Sequence, residues 1–202
     1  MCFTERSIRD CLWAALLVIE TIDMTDLTHR LAQMEDLPEL HALMKRAIEQ
    51  LQDGFLSPEQ VRASHHVMGL DTQLVKDQTY FVVETAGRIV GSGGWSWRAT
   101  LYGGDDSIVA REPLALDAAT DAAKIRAMYT DPDFARKGIG RMVLGLCEAA
   151  ARAASFQRAE MMATLAGEPL YRAFGYLPME KVESAPIDGV RVPLLRMEKS
   201  LV

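Results

Sequence analysis

Apolar positions recur along this chain with two periods, and their alternation predicts its elements. Thr28 to Ala32 reads as a short strand. Glu35 and Asp36 open an amphipathic helix with Leu37, Leu40, Leu43, Met44, Ala47, Ile48 and Leu51 at helical spacing, and Pro38 sits in its first turn. Ser57-Pro58-Glu59-Gln60 is a helix start, with serine as cap and Gln60 three residues on. That helix runs to about His66, and Asp71 caps a third. Tyr80 to Glu84 is a strand by its aromatic and β-branched run. Ala86-Gly87 turns the chain, and Arg88 to Trp97 returns antiparallel. Gly91, Gly93 and Gly94 in that return predict a bend, a bulge or a close approach to the backbone.

Ala99 to Asp121 is irregular. Ala123 to Thr130 reads as a buried strand ended by Asp131-Pro132. A long helix follows, with Ile139, Val143, Leu146, Cys147 and Ala150 on its apolar face. Ala159 to Leu165 is a strand, and Pro169 to Phe174 a short helix stopped by Gly175. Leu177 to Ser184 and Arg191 to Leu201 close the chain as strands around an Asp188-Gly189 hairpin. The order implies an α/β (α+β) domain: a single mixed, mostly antiparallel sheet flanked by helices.

Residues 1–23 read differently. Arg6 and Arg9 precede an apolar run, Cys11 to Ile19, which Glu20 and Asp23 interrupt without a small-residue cleavage site. The run is too short to span a bilayer, and Ile8, Leu12, Ala15, Leu16 and Ile19 fit an amphipathic helix. Two readings stand: an upstream stretch taken in by the choice of start, with Met24 as the native start, or a helix docking on the domain or on a second subunit of a homodimer. The domain itself is expected over 24–202.

Composition narrows the function. With 49% hydrophobic and 25% charged residues the chain can build a core. A net charge of −6 argues against nucleic acid, whose phosphates require a basic face. Cys2, Cys11 and Cys147 are odd in number and widely spaced, which offers neither a disulfide framework nor a zinc site and points to the cytoplasm. No metal, membrane or nucleic-acid partner is expected.

The chemistry begins at Asp131 to Arg141, where a strand passes through a loop with two glycines into a helix. Backbone N–H groups at such a junction lack helical partners, and the helix dipole adds positive character. Glycine lets a phosphate approach them, and Arg136, Lys137 and Arg141 supply cations. A pyrophosphate fits, as does a plain tight turn. The spacing matches neither a P-loop nor a dinucleotide fingerprint, for the third glycine is missing.

Two segments together resemble the GNAT acyltransferase superfamily: Ala135-Arg136-Lys137-Gly138-Ile139-Gly140 and Leu170-Tyr171-Arg172-Ala173-Phe174-Gly175-Tyr176. They stand in that family's order with a strand between. The resemblance covers the chain from about Leu27 onward and implies a GNAT-like fold in which the strands flanking the long helix splay apart. It implies acetyl-CoA as co-substrate, with the pantetheine arm on backbone at Met128 and Thr130 and the pyrophosphate on Arg136, Lys137, Gly138, Ile139, Gly140 and Arg141. Tyr171 would protonate the leaving thiolate. Two positions depart from the pattern. Ala135 stands where the family carries Arg or Gln, and Thr164, seven residues before Tyr171, stands where many members carry Asn; its hydroxyl is the substitute contact to the arm.

The resemblance thus implies an N-acetyltransferase joining an acetyl group to a primary amine, by direct attack, on a small-molecule or peptide acceptor. Two other classes compete: a non-catalytic acyl-CoA sensor or interaction domain, and a nucleotide-binding protein of another fold. An alkylamine near pKa 10.4 is only about 0.04% neutral at pH 7, so a base would help. Glu84, Glu160 and Glu168 are candidates by position, each equally a solvated carboxylate. An unperturbed tyrosine lies roughly 1.5 units above a thiol, so its proton transfer is uphill by about 2 kcal/mol. His41, His65 and His66 read as structural or surface residues. Trp95 and Trp97 share a face, in the core or walling the acceptor pocket. The acidic stretch with Asp105 and Asp106 is a binding loop for a cationic acceptor or a solvated excursion.

Overall fold

The Ser57 hydroxyl accepts from the Gln60 N–H at 3.3 Å, and the Gln60 side chain accepts from the Ser57 N–H at 3.0 Å. That reciprocal cap starts helix α2, Pro58–Val67, where the sequence places it. Asp71 likewise accepts from the Gln73 N–H at 2.9 Å and starts α3, Thr72–Lys76. The computed structural model describes residues 26–202; the helix expected from Ile8, Leu12, Ala15, Leu16 and Ile19 and the boundary at Met24 lie outside them. Ahead of α2 come β1, Thr28–Leu31, a 3-10 turn at Met34–Asp36 and α1, Leu37–Leu51. Then follow β2, Tyr80–Thr85, β3, Arg88–Ser96, β4, Ala123–Thr130, a 3-10 turn at Pro132–Phe134 and α4, Ile139–Ala153. The described chain closes with β5, Arg158–Thr164, α5, Glu168–Ala173, β6, Leu177–Glu183, and β7, Pro193–Ser200.

The seven strands form one open sheet in the order β1-β2-β3-β4-β5-β7-β6. Every neighbouring pair is antiparallel except β4 and β5. On one face α4 buries Ile139, Val143, Leu144, Cys147 and Ala151 against Val90, Ile125, Met161 and Met197. The buried stripe is centred on Leu144 rather than on Leu146, which is only partly buried. On the other face α1 buries Leu40, Leu43, Ala47 and Ile48 against Tyr80, Val82 and Ile89. A smaller cluster of Val67 from α2 with Val192 and Leu194 covers that face beside β5 and β7.

The expected bulge lies between β3 and β4. Gly91 pairs with Thr130 and Ser92 with Tyr129, but Gly94 pairs with Arg126, so Ala127 and Met128 together oppose Gly93. Ala127 takes φ 51°, a left-handed conformation that costs a non-glycine residue about 1 kcal/mol. The Tyr80 hydroxyl donates to the Ala127 carbonyl at 2.8 Å and holds it there. A Cβ at Gly93 would lie 2.3 Å from Met128 Sδ and 2.7 Å from Val143 Cγ1, so glycine is what lets α4 and the bulge close on β3. Gly93→Ala should therefore destabilise the fold by about 1–3 kcal/mol by overpacking, read as a lower urea midpoint at unchanged m-value.

Candidate functional site

Strands β4 and β5 pair only at Ala123↔Ala159 and Lys124↔Glu160 and then diverge. β5 stays paired with β7 along its whole length, so the gap opens on the β4 side of β5. The Asp131 N–H donates to the Val90 carbonyl at 2.9 Å. Backbone direction alternates along a strand, so Tyr129 also faces β3, while the N–H and C=O of Thr130 face the gap; Met128 stands at the bulge two residues before it. The two backbone positions implied by the resemblance lie on the β4 edge beside this gap.

The gap passes through the sheet as a cleft. On the side of α4 it is lined by Ile125, Met128 and Met161, together with Tyr171 from α5; Thr164 stands at the end of β5. On the opposite side it is lined by Val67, Met68 and Gly69, by Leu101, Tyr102 and Gly103, and by Met162 and Leu194. Arg126 also lies on its wall. Thr164 Oγ1 accepts from the Gly167 N–H at 3.2 Å and keeps its own hydroxyl proton to donate.

The glycine loop sits at the same end of β4. Asp131 is fully buried and accepts from Arg46 at 2.6 Å, from Arg88 at 2.5 Å and from the Asp133 N–H at 3.0 Å. These bonds tie the loop's start to α1 and to the head of β3. Arg136 at φ 64° and Gly138 at φ 81° then turn the chain into α4. Among the described residues, the N–H groups of 136–141 find no protein acceptor, whereas that of Met142 bonds to the Gly138 carbonyl at 2.9 Å. Successive amides converging from turn residues onto a helix start form an anion nest, strengthened by the helix dipole. Of the side chains named for this role, Lys137 donates to the Asp133 carbonyl at 3.1 Å and lies over Phe134, and Arg141 lies over Phe174 at 5.1 Å. Ile139 is buried in the core, so only its backbone can serve.

Tyr171 is 8% exposed. Its ring is held edge-on to Tyr176 at 6.2 Å, and its carbonyl accepts from the Phe174 and Tyr176 N–H groups at 3.0 Å each. Burial, with a smaller contribution from Cys147, pushes its pKa up to about 12. Against an ordinary thiol the proton transfer would then be uphill by about 5 kcal/mol, more than an unperturbed tyrosine implies. The same desolvation raises a thiolate in that cleft and narrows the gap.

The three carboxylates considered as bases stand elsewhere. Glu84 pairs with Arg30 at 2.7 Å, Glu168 with Arg172 at 2.7 Å, and Glu160 with Lys124 where β4 and β5 still pair. None lines the cleft. Trp95 packs on Phe156 in the core, and Trp97 lies under Arg98 at 4.0 Å. His65 lies 3.9 Å from Glu49. Among the described residues no cluster of His, Cys, Asp or Glu could hold a metal, and no helix is long and apolar enough to cross a membrane.

The irregular stretch after Ala99 is largely exposed, yet backbone bonds tie it to α2 and the turn after it, and Asp105 is not a free acid. The Asp105 N–H bonds to the Leu70 carbonyl and the Ile108 N–H to the His66 carbonyl, both at 3.0 Å. Burial pushes the Asp105 carboxyl up, but the Thr72 side chain, Arg111 and the Thr72 N–H together hold its pKa low. Asp71, buried, receives Arg126 at 2.6 Å and Arg111 at 3.1 Å. Sequence reading passed over Arg126 and Asp71 as ordinary strand and cap residues; a lone arginine amid the apolar positions of Ala123 to Tyr129 was the available signal.

The family model for the acetyltransferase (GNAT) family matches residues 41–176. Several solved structures share the fold. A GCN5-related N-acetyltransferase from Rhodopseudomonas palustris superposes with TM-score 0.62 at 17% identity, covering 89% of this chain and 98% of its own. The PaiA N-acetyltransferase from Thermoplasma acidophilum, in complex with coenzyme A, gives 0.56 at 14%, covering 86% and 98%. The ribosomal-protein-S18-alanine N-acetyltransferase from Escherichia coli gives 0.54 at 16%, covering 87% and 94%. A search of curated proteins finds no match.

Proposed function

The chain belongs to the GNAT acetyltransferase family, and from that membership and the geometry of its cleft we propose that it transfers an acetyl group from acetyl-CoA to a primary amine by direct attack. The observation that carries the reading is the unpaired edge of β4, which runs from the cleft into a loop of unpartnered amides. A long ligand with a diphosphate at one end and an amide-bearing arm at the other fits that edge. In this reading the N–H and C=O groups of Met128 and Thr130 and the Thr164 hydroxyl hold the arm. The amides of Arg136, Lys137, Gly138, Ile139, Gly140 and Arg141 hold the diphosphate, and Arg136, Lys137 and Arg141 add charge.

When bound, the thioester supplies an activated acyl group: its C–S bond breaks as nitrogen forms the new C–N bond, leaving an amide and a free thiol. The protein's part is to orient, to exclude water and to handle two protons. Holding both partners in one cleft removes much of the entropic barrier. The β4 N–H groups on the open edge are placed to stabilise negative charge growing on the acyl oxygen. Tyr171 holds its proton through the neutral range and delivers it from its hydroxyl to sulfur. The nitrogen sheds one proton to water, and water returns a proton to the Tyr171 oxygen, which restores the phenol for the next cycle. The acceptor is a small molecule or a peptide, and we place the activity in the cytoplasm.

The test is a thiol-release assay with acetyl-CoA over small amines, amino-acid amides and peptides, with the product weighed by mass spectrometry. Acetylation of an amine is the expected result. Binding of acetyl-CoA without turnover on any acceptor would assign the chain to acyl-CoA sensing instead.

A further inference from the structure

In the proposed reading the acceptor enters the cleft from the side away from α4, where several apolar side chains stand beside one buried cation. There the wall is built from Met68, Leu101, Tyr102, Met162 and Leu194, with Arg126 as the charged residue among those lining it. Arg126 is 5% exposed, and its Nε lacks a partner. Its remaining nitrogens are taken up by Asp71 at 2.6 Å and by the Gly103 carbonyl at 3.0 Å. Asp71 is itself 2% exposed and turned toward Arg126 and Arg111, so it offers no free carboxylate to the cleft. The ionisable side chains on the lining are this guanidinium and the phenols Tyr102, Tyr129 and Tyr171, types that keep their protons at neutral pH.

Two consequences follow for an incoming amine. An ammonium ion would enter a desolvated site beside Arg126 and find no free counter-ion among the described residues that line it, since Asp71 is already held by Arg126 and Arg111. Among the described residues no side chain on the wall can take its proton, so the amine must arrive as free base. An α-amine near pKa 7.7–8.0 is about 9–17% neutral at pH 7, against about 0.04% for a lysine side chain near 10.4. Accepting the acetyl-transfer reading, we infer that the acceptor is a weakly basic amine on an apolar group, such as the α-amine of an apolar amino-acid amide or peptide, and not a lysine side chain or a polyamine. This differs from the expectation of a cationic acceptor drawn from Asp105 and Asp106: Asp105 is engaged by Thr72 and Arg111, and neither residue lines the cleft.

The experiment compares three acceptors under saturating acetyl-CoA: leucine amide, which carries only an α-amine, N-acetyl-lysine amide, which carries only an ε-amine, and spermidine. At pH 7 leucine amide should exceed the other two in kcat/KM by at least about tenfold, after allowance for the greater nucleophilicity of the more basic amines. For N-acetyl-lysine amide, kcat/KM should climb about tenfold per pH unit between about pH 7 and 9 as free base accumulates. Equal or greater use of spermidine or the ε-amine at pH 7, or a flat pH profile for the ε-amine, would overturn the inference by revealing a base or counter-ion. Acetylation of none of the three or of any other amine, while acetyl-CoA still raises Tm, would overturn the transfer reading itself; acetylation confined to other strongly basic amines would overturn this inference alone.

Discussion

Replacing Gly138 by glutamate should all but remove the rise in Tm that acetyl-CoA confers. A ligand at about 100 times its Kd stabilises the folded state by about 2.7 kcal/mol, worth about 5–10 °C for a domain of this size. A carboxylate at the mouth of the amide nest repels the diphosphate and fills the space it would take. A 100-fold loss of affinity leaves about 0.4 kcal/mol, or roughly 1 °C. The substitution also forces a side chain onto a backbone at φ 81°, so the unliganded protein should melt lower as well. Gly138→Ala separates the two effects, since it carries the strain without the charge and should keep more of the ligand-induced shift. A full shift in the glutamate variant would remove the loop from the binding site.

Tyr171→Phe should lower kcat by about 10²–10⁴-fold, the usual contribution of a general acid, and leave the Kd for acetyl-CoA within about twofold. The ring is held by Tyr176 and by backbone bonds that do not involve the hydroxyl, so phenylalanine should keep the cleft's shape. The pKa is pushed up to about 12, so the group is protonated throughout an ordinary assay range. The wild-type rate should accordingly show no alkaline decline from this residue until pH nears that value. Full activity in the variant at neutral pH would mean that sulfur takes its proton from elsewhere, and an equal loss of binding would mean that the ring is structural.

Much of the site was legible because its parts are local. Ser57, Gln60 and Asp71 announce helix starts through bonds to residues two or three positions on. The glycine loop announces a turn into a helix, and its amides go unpartnered because of the backbone path. The three glycines in β3 announced a close approach, and the bulge opposite Gly93 is that approach. The misplaced readings concern carboxylates. Asp105 and Glu160 look free in sequence, yet each meets a cation in the fold. Glu148 lies on the helix that the apolar pattern predicts, yet it is 3% exposed, because Lys199 reaches it at 2.7 Å from the far end of the chain.

By itself the sequence determined the order and type of the elements and the position of the loop, because periodicity, caps and turns are decided within a few residues. With the family resemblance, it also pointed to Tyr171 and to the backbone of Met128 and Thr130. The tertiary structure decided what surrounds them. Whether β4 keeps an open edge depends on where β5 stops pairing with it, and the acidity of Tyr171 depends on how much water the packing removes. On the cleft's far side Asp71 is drawn to Arg111 and Arg126, residues distant from it in sequence, and so offers the cleft no free carboxylate. Such pairings are contacts between distant segments, and only the folded arrangement brings them within reach.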